Sequence, residues 1–217
     1  MKELTLVVAS KNYSSWSLRP YLALAHTGQP FREVVVPLGQ ADTAANIAKY
    51  SPSGRVPALQ HGELVIWDSL AICEYLAEQF PQAKLWPQDT AARALARSVT
   101  AEMHSSFTHL RNHMSMNLRA RLPGEGRAPG VSEDIARITS LWKECRSRFG
   151  QGGPFLFGTF SIADAFYAPV VTRFVTYDVA LDAECAAYRD AVLALPAMKA
   201  WTEAALHEPP VARYEKK

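Results

Sequence analysis

The sequence predicts an α/β domain over residues 1–80, followed by an all-helical domain over residues 90–217. Two observations carry this prediction. Short β-branched runs alternate with helical periodicity through the first eighty residues, whereas no convincing strand pattern occurs from Thr90 onward. Between the two parts, residues 81–89 contain two prolines among polar residues, a composition that indicates a linker.

The predicted elements of the first part alternate strand and helix. Leu4–Ala9 is a short apolar run and predicts a buried strand, and residues 31–36 predict a second strand. The helical pattern over residues 16–27 ends at Gly28, and residues 42–50 predict a short helix. A strand, a helix and a strand in this order imply parallel pairing of the two strands.

A hairpin and a third helix complete the first part. The segments 56–60 and 63–67 flank His61-Gly62, which is a hairpin signature and implies an antiparallel pair. Residues 68–80 predict an amphipathic helix. Its apolar stripe consists of Leu70, Cys73, Leu76 and Phe80. The predicted order is therefore β-α-β-α-β-β-α.

The second part shows helical patterns separated by loops. The predicted helices cover residues 91–118, 132–149 and 161–177, with two more near 183–195 and 197–206. The segment 119–130 predicts a mobile loop, and residues 151–160 form a glycine-rich loop.

The composition is that of an ordinary globular protein and excludes several classes of function. Of 217 residues, 48% are hydrophobic and 20% are charged, so a packed core is expected. The net charge of +2, without a basic stripe interleaved with aromatic residues, argues against a nucleic-acid partner. No apolar run approaches the ~20 residues that span a bilayer, and no signal-peptide pattern is present, so we expect no membrane partner.

The cysteines and histidines give no indication of a metal site. Cys73, Cys145 and Cys185 are odd in number and far apart, which favours reduced packing cysteines in the cytoplasm. His109 and His113 have the i, i+4 spacing of metal ligands, but no accompanying Glu or third ligand is evident. We therefore expect a cytoplasmic protein without a metal, and we expect both histidines to be exposed.

The turn after the first strand carries two serines, Ser14 and Ser15, just before a helix. Because Pro20 has no N–H, the sequence places it in the first helical turn, with Ser17 or a later residue as the N-cap. Hydroxyl groups near a helix N-terminus suit an anion, and one serine donor would lower the pKa of a bound thiol by ~1–2 units. The alternative, that the serines only cap the helix and form the turn, stays open at this point.

Two further clusters lie where predicted elements begin. Pro57 lies within a predicted strand, where a proline is accepted only at an edge or at the strand start. Asp68 or Ser69 is a suitable N-cap for the following helix, and the Ser69 hydroxyl together with free N–H groups would suit a carboxylate. Capping alone remains the alternative.

Four motifs, in order and near the expected spacing, make the chain resemble the glutathione transferase superfamily. They are SSW at 14–16, RVPAL at 55–59, DSLAI at 68–72 with EYL at 74–76, and SIAD at 161–164. The resemblance extends from Leu4 to about Leu206 and is nearest to serine-type classes, such as zeta and related bacterial forms. It implies a thioredoxin-like fold for the first part and a homodimer.

The resemblance also implies the roles of individual residues. The expected glutathione-binding residues are Trp16, Arg55, Val56, Pro57, Asp68 and Ser69. The backbone of Val56 would pair with the cysteinyl part of glutathione, with Pro57 in cis. Asp68 and Ser69 would hold the γ-glutamyl group.

The sulfur ligand is expected among the loop residues before the first helix. Aligning Arg19 with the matching arginine of the zeta class places Ser14 on the catalytic serine, with Ser15 as the second candidate and Tyr13 as a rival. Trp16 stands where the zeta-like motif has a cysteine. This difference argues against maleylacetoacetate isomerisation and against disulfide reduction.

The second substrate is expected against the helical domain. Met103, His104, Phe107 and Arg111 are the predicted pocket residues. Core packing of most of them is the alternative. Asp164, in the S-x-x-D form of a capping box, is expected to support the fold rather than the chemistry.

These observations predict a detoxifying transferase that conjugates the glutathione thiolate to a hydrophobic electrophile. Glutathione would be a co-substrate, and no other cofactor is expected. Two alternatives remain: a zeta-type, maleylacetoacetate isomerase-like enzyme, and a non-catalytic glutathione-binding or interaction protein on the same fold.

Overall fold

A computed structural model describes residues 3–215 and contains one four-stranded sheet. Its strands are β1 (Leu4–Ala9), β2 (Arg32–Val36), β3 (Ala58–His61) and β4 (Leu64–Trp67), in the order β2-β1-β3-β4. β1 pairs with β2 in parallel, and the other two pairs are antiparallel. The predicted hairpin is confirmed, although its turn falls one residue later, at Gly62 and Glu63.

Three helices cover the two faces of this sheet: α1 (Ser15–His26), α2 (Thr43–Ala48) and α3 (Ser69–Gln79). Because side chains alternate along a strand, Leu6 of β1 joins the core formed with α1 and α3, while Val7 joins the smaller core on the α2 side. The predicted β-α-β-α-β-β-α order is confirmed.

The second part is helical throughout its named elements. The helices are α4 (Thr90–Ser105), α5 (Thr108–His113), α6 (Val131–Phe149), α7 (Ile162–Thr176), α8 (Ala183–Ala194) and α9 (Pro196–Leu206). α7 is buried over nearly its whole length and packs against α1, α4 and α8. The α/β fold followed by an all-helical fold is therefore confirmed. None of the helices in residues 3–215 has the length and apolarity needed to cross a bilayer.

The single helix predicted over residues 91–118 is wrong. α4 ends at Ser105, Phe107 adopts a left-handed φ of 61°, and residues 114–130 are irregular after the short α5. The Arg111 side chain stabilises this break, because it donates hydrogen bonds to carbonyl groups that the helix end leaves without partners. These carbonyl groups belong to Met103, His104 and Ser106.

The first helix also begins earlier than predicted. Its N-cap is Ser14, so Pro20 lies inside the helix and not in the first turn. Ser17 is not needed as a cap because its hydroxyl accepts a hydrogen bond from the N–H of Ala9, at the end of β1, at 3.1 Å. This contact between strand and helix is tertiary, and helical periodicity does not reveal it.

Candidate active site

An open cleft of about 590 Å³ lies beside the N-terminal ends of α1 and α3. It is lined by Trp16, Ser53, Arg55, Val56, Pro57, Trp67, Asp68 and Ser69. All six expected glutathione-binding residues are therefore brought together in one wall. Ser53 and Trp67 were not singled out from the sequence. Both lie within two residues of a predicted motif, and this proximity could have identified them as candidate cleft residues.

A second cleft, of about 560 Å³, lies at another edge of the sheet near Glu3, Phe31 and His61. It contains none of the predicted site residues. Its recorded lining also lacks a buried hydroxyl without a partner, a feature that the first cleft does have. The first cleft is therefore the better candidate for a ligand site.

The beginning of α3 presents an unpaired hydroxyl to the cleft. Asp68 is the N-cap, with a φ of 72°, and its carboxylate accepts a hydrogen bond from the N–H of Leu70 at 2.8 Å. Ser69 is buried, and its hydroxyl has no hydrogen-bond partner among residues 3–215. A buried polar group left without a partner costs ~1–3 kcal/mol. The Ser69 hydroxyl is therefore available to a ligand at the helix N-terminus, where anions are favoured.

The segment before β3 forms the facing part of the wall. The Val56–Pro57 peptide bond is cis, and both residues line the cleft. β3 begins only at Ala58, so Pro57 stands just before the strand, where its missing N–H removes no ladder hydrogen bond.

Ser14 and Ser15 lie at the start of α1 but are not part of the cleft lining. Both are buried. The Ser14 hydroxyl makes no capping hydrogen bond and donates to the Ser17 hydroxyl at 2.7 Å. Because a serine has one hydroxyl proton, this proton would have to be redirected before Ser14 could donate to a sulfur.

Tyr13, the rival to the serines, has its hydroxyl committed elsewhere. It donates to the Glu215 carboxylate and accepts hydrogen bonds from Arg119 at 2.8 Å and from the N–H of Val211 at 3.1 Å. All of these partners belong to the helical part of the chain or to the segment after it. The phenol is therefore poorly placed to donate a hydrogen bond to a sulfur in the cleft.

Two of the four predicted pocket residues lie beside Trp16, which is 38% exposed at the cleft. The His104 ring meets the Trp16 ring edge-on at 5.3 Å, and its Nε2 lies 3.5 Å from an Asp68 oxygen. The Arg111 guanidinium lies 5.0 Å from the Trp16 ring centre. Burial lowers the pKa of His104 below its ordinary value, against the opposing effect of Asp68.

The other two predicted pocket residues point into the core. Met103 and Phe107 are buried in the large hydrophobic cluster and line no part of the cleft. The structure therefore matches the alternative of core packing for these two side chains.

Arg19 is a second cation near Trp16, beside Arg111, and sequence analysis used it only to align the motif. Its side chain is fully buried, and its guanidinium has no hydrogen-bond partner among residues 3–215. It stacks 4.2 Å from the Trp16 ring centre and 4.7 Å from that of Phe166. Burial lowers the pKa of Arg19 well below its ordinary value, and Arg111 and Arg173 add to this effect. A cation within a helix otherwise rich in leucine was the available signal.

The cysteines and histidines show no alternative chemistry. Cys73, Cys145 and Cys185 are free and buried, and burial raises the pKa of Cys145 and of Cys185 to about 12. Thiols with such pKa values remain protonated at neutral pH and are poor nucleophiles. His109 and His113 are exposed, as predicted. Among residues 3–215, no group of three His, Cys, Asp or Glu side chains is arranged to hold a metal ion.

Comparison with known proteins decides the family. The family model of the glutathione S-transferase N-terminal domain matches residues 13–79, a range that includes every residue lining the cleft. The family model of the glutathione S-transferase C-terminal domain matches residues 128–204. Glutathione S-transferase 1 of Dianthus caryophyllus is 31% identical over 170 residues, which cover 77% of this chain and 76% of that protein. The chain belongs to the glutathione S-transferase family. It is a glutathione transferase enzyme, and enzymes of this family use glutathione as a co-substrate.

Other relatives of this transferase include zeta-class proteins. Glutathione S-transferase Z1 of Arabidopsis thaliana is 39% identical over 171 residues, covering 74% of this chain and 75% of that protein. A probable maleylacetoacetate isomerase of Caenorhabditis elegans is 27% identical over 158 residues, with coverages of 71% and 73%.

Solved structures share the fold of the transferase. A glutathione transferase homolog from Burkholderia with bound glutathione superposes with a TM-score of 0.71 at 24% identity, covering 94% of this chain and 98% of that one. A diazinon-metabolizing glutathione S-transferase of the silkworm Bombyx mori gives 0.73 at 19% identity, with coverages of 94% and 97%.

Proposed function

We propose that this transferase conjugates the thiolate of glutathione, bound in the cleft beside α1 and α3, to a hydrophobic electrophile. One observation carries the proposal. The buried Ser69 hydroxyl, which has no hydrogen-bond partner within the described residues 3–215, shares a cleft wall with Asp68, the cis Val56–Pro57 segment and Trp16. These are the residues that the family resemblance assigns to glutathione.

The start of α3 suits the γ-glutamyl end of glutathione, which carries a carboxylate and an ammonium group. The Ser69 hydroxyl and the first N–H groups of α3 would hold the carboxylate, because both are donors at the positive end of a helix. The Asp68 oxygen that faces His104 would accept from the ammonium group. The Val56 backbone would pair with the cysteinyl residue.

The sulfur would then lie towards the start of α1, where Ser14 is its proposed hydrogen-bond donor. Rotation of the Ser14 hydroxyl would break its 2.7 Å bond to Ser17, but Ser17 would keep its bond from Ala9. A donor to a charged acceptor contributes ~1.5–3 kcal/mol, which corresponds to ~1–2 units in the pKa of the thiol. The thiol proton passes to solvent, and the resulting thiolate forms a carbon–sulfur bond to an electrophile held nearby while a leaving group such as chloride departs. The protein contributes activation and proximity.

The test has two stages. The protein should be retained on glutathione-agarose, and it should then conjugate a chlorinated nitrobenzene. In Ser14→Ala, the pKa of the thiol of bound glutathione should rise by at least about one unit. The absorbance of the thiolate follows this titration. Ser15→Ala serves as the matched control and should leave that pKa unchanged. The opposite pattern would assign the sulfur to Ser15, and failure of retention would count against glutathione in this cleft.

A second candidate function is glutathione-dependent isomerisation of the zeta type. Relatives named as maleylacetoacetate isomerases support it, among them proteins of Caenorhabditis elegans and Pseudomonas aeruginosa. Trp16, in place of the motif's cysteine, argues against it. A panel of maleyl-type substrates separates the two reactions, since turnover of those substrates without conjugation would favour the isomerase. The family assignment disfavours the third alternative, a non-catalytic binding protein.

We also propose a cytoplasmic homodimer that acts in detoxification, as the family resemblance implies. β4 is an edge strand, and its Leu64 and Trp67 side chains are 49% and 47% exposed, which is consistent with a partner surface nearby. Light scattering of the purified protein should give twice the chain mass of 24.0 kDa. A mass of one chain would contradict the dimer.

A further inference from the structure

The loop that leads into Ser14 is held by residues that lie far from it in sequence. Residues 11–13, here called the anchor loop, connect β1 to the N-cap of α1. Asn12 is fully buried. Its side-chain nitrogen donates to the side-chain oxygen of Asn117 at 2.8 Å, and its side-chain oxygen accepts from the backbone N–H of Arg119 at 3.1 Å. Both partners lie in the irregular segment after α5.

A single carboxylate, that of Glu208, binds two successive N–H groups of the anchor loop. One oxygen accepts from the N–H of Lys11 at 2.8 Å, and the other accepts from the N–H of Asn12 at 3.1 Å. The indole of Trp201 donates to the Lys11 carbonyl at 3.0 Å. Hydrogen bonds to a charged acceptor are about twice as strong as neutral ones, so Glu208 is a firm attachment point.

The third residue of the anchor loop, Tyr13, is attached to the segment that follows α9. Its hydroxyl bonds to Glu215, Arg119 and Val211, and its ring lies 5.3 Å from that of Tyr214. The hydrogen bond from Tyr13 is the largest of the effects that lower the pKa of Glu215, so this carboxylate is ionised at neutral pH.

By contrast, the N–H of Ser14 makes only a local bond, to the Ser10 carbonyl at 3.0 Å. We propose that residues 208–215, here called the C-terminal strap, act as a positioning device that sets where Ser14 meets the glutathione sulfur. Glu208 and Tyr13 are the positioning residues through which the strap acts. This inference rests on the proposed role of Ser14.

Release of the strap should affect the sulfur and spare the rest of the glutathione site. Displacing Ser14 lengthens its hydrogen bond to the thiolate, and such bonds weaken steeply with poor geometry. Asp68 and Ser69 stand on α3, and their recorded contacts within residues 3–215 involve no strap residue. Binding of the γ-glutamyl group, and with it the KM for glutathione, should therefore change little.

The charge of Glu208 makes it possible to separate lost positioning from lost electrostatics. Arg19, Arg111 and His104 contact Trp16, and Arg55 and Asp68 line the cleft beside it. The strap variants leave all five groups in place. Removing the negative charge of Glu208 should by itself favour a thiolate and lower the pKa of bound glutathione. A raised pKa in Glu208→Ala would therefore reflect lost positioning and not lost charge.

The experiment compares Glu208→Ala, Glu208→Gln and Tyr13→Phe in the full chain. In Glu208→Ala the pKa of bound glutathione should rise by about one unit, with kcat for a chlorinated nitrobenzene falling ~5–10-fold near pH ~6.5 and recovering at alkaline pH. Glu208→Gln keeps one acceptor oxygen and should show a smaller shift. Tyr13→Phe removes a different attachment and should shift the pKa in the same direction, even where Glu208→Ala folds poorly.

Glu203→Ala is the matched control. Glu203 lies on α9, five residues before Glu208, and within residues 3–215 its exposed carboxylate pairs only with His207. The strap proposal would be overturned if the thiol pKa of bound glutathione in the strap variants equalled the value in Glu203→Ala. If Ser14→Ala shifts the pKa but the strap variants do not, the proposed function stands without the strap. An unchanged pKa in Ser14→Ala would overturn the role of Ser14 and the strap proposal that rests on it, whereas conjugation itself is tested separately by retention and turnover.

Discussion

At the scale of single residues, Asp164 shows how a buried carboxylate can serve the fold instead of the chemistry. It is fully buried near the start of α7 and accepts hydrogen bonds from the N–H of Leu156 at 3.1 Å and from the N–H of Ser161 at 2.8 Å. The capping box predicted from the S-x-x-D motif is confirmed. Asp164 is not part of the cleft lining, in agreement with a structural role for its motif.

Asp164 should make the stability of the protein depend on pH. Burial raises its pKa to about 6, even though its hydrogen bonds oppose this effect. The native state therefore binds the proton more tightly than the unfolded state does. The stabilisation is complete below the unfolded pKa of ~3.9 and is lost as the pH rises through about 6, with a total of about 3 kcal/mol.

Urea denaturation of the wild type and of Asp164→Asn between pH ~4 and ~8 checks this expectation. Asn does not titrate in this range, so the stability of the wild type relative to the variant should fall as the pH rises and should then level off. A difference that stays constant across this range would contradict a raised pKa for Asp164.

At the scale of elements, the helix ends place the functional side chains. α3 begins with Asp68 as its cap, α1 with Ser14 as its cap, and α4 with Asp89 as its cap. The first two ends flank the cleft. The third fixes where the helix carrying His104 enters the structure, since the Asp89 carboxylate accepts from the N–H of Ala92 at 2.8 Å.

Removal of the α4 cap should destabilise the protein. In Asp89→Ala, the N–H of Ala92 loses its acceptor, and the free energy of unfolding should fall by about 1 kcal/mol. Asp89→Ser keeps a capping oxygen and should recover most of the loss. Equal losses in the two variants, measured by urea denaturation, would show that the cap contributes nothing.

At the scale of the whole molecule, the two folds share one hydrophobic core. The large cluster runs from Leu6 and Leu18 in the first part to Phe166 and Trp201 in the second. Arg19 of α1 stacks directly on Phe166 of α7, and the N–H of Ile162 donates to the Leu85 carbonyl at 2.9 Å. The boundaries at residues 1–80, 81–89 and 90–217 remain a prediction, but the packing crosses them.

This shared core predicts that the two parts unfold together. Neither part can separate without exposing the apolar surface between α1 and α7. Tryptophan fluorescence and far-UV circular dichroism should give coincident urea transitions at one protein concentration. The Asp89→Ala variant should shift both signals equally. Two separated transitions would indicate independent domains.

The sequence by itself determined the type and order of nearly all elements and the composition of the cleft wall. Strand alternation, caps such as Asp68, and proline at a strand start are local signals, because each depends on residues within a few positions. The residues predicted to bind glutathione share one cleft wall for the same reason, since they sit in short motifs at strand and helix ends.

Tertiary structure decided the rest. Ser17 contacts the N–H of Ala9 instead of capping α1, Arg111 stabilises the break at Phe107, and the core takes Met103 away from the cleft. The proposed positioning of Ser14 by the C-terminal strap likewise rests on contacts between residues about two hundred positions apart in sequence. Periodicity records neighbours one helical turn or one strand step apart, and it carries no information about partners at such separations.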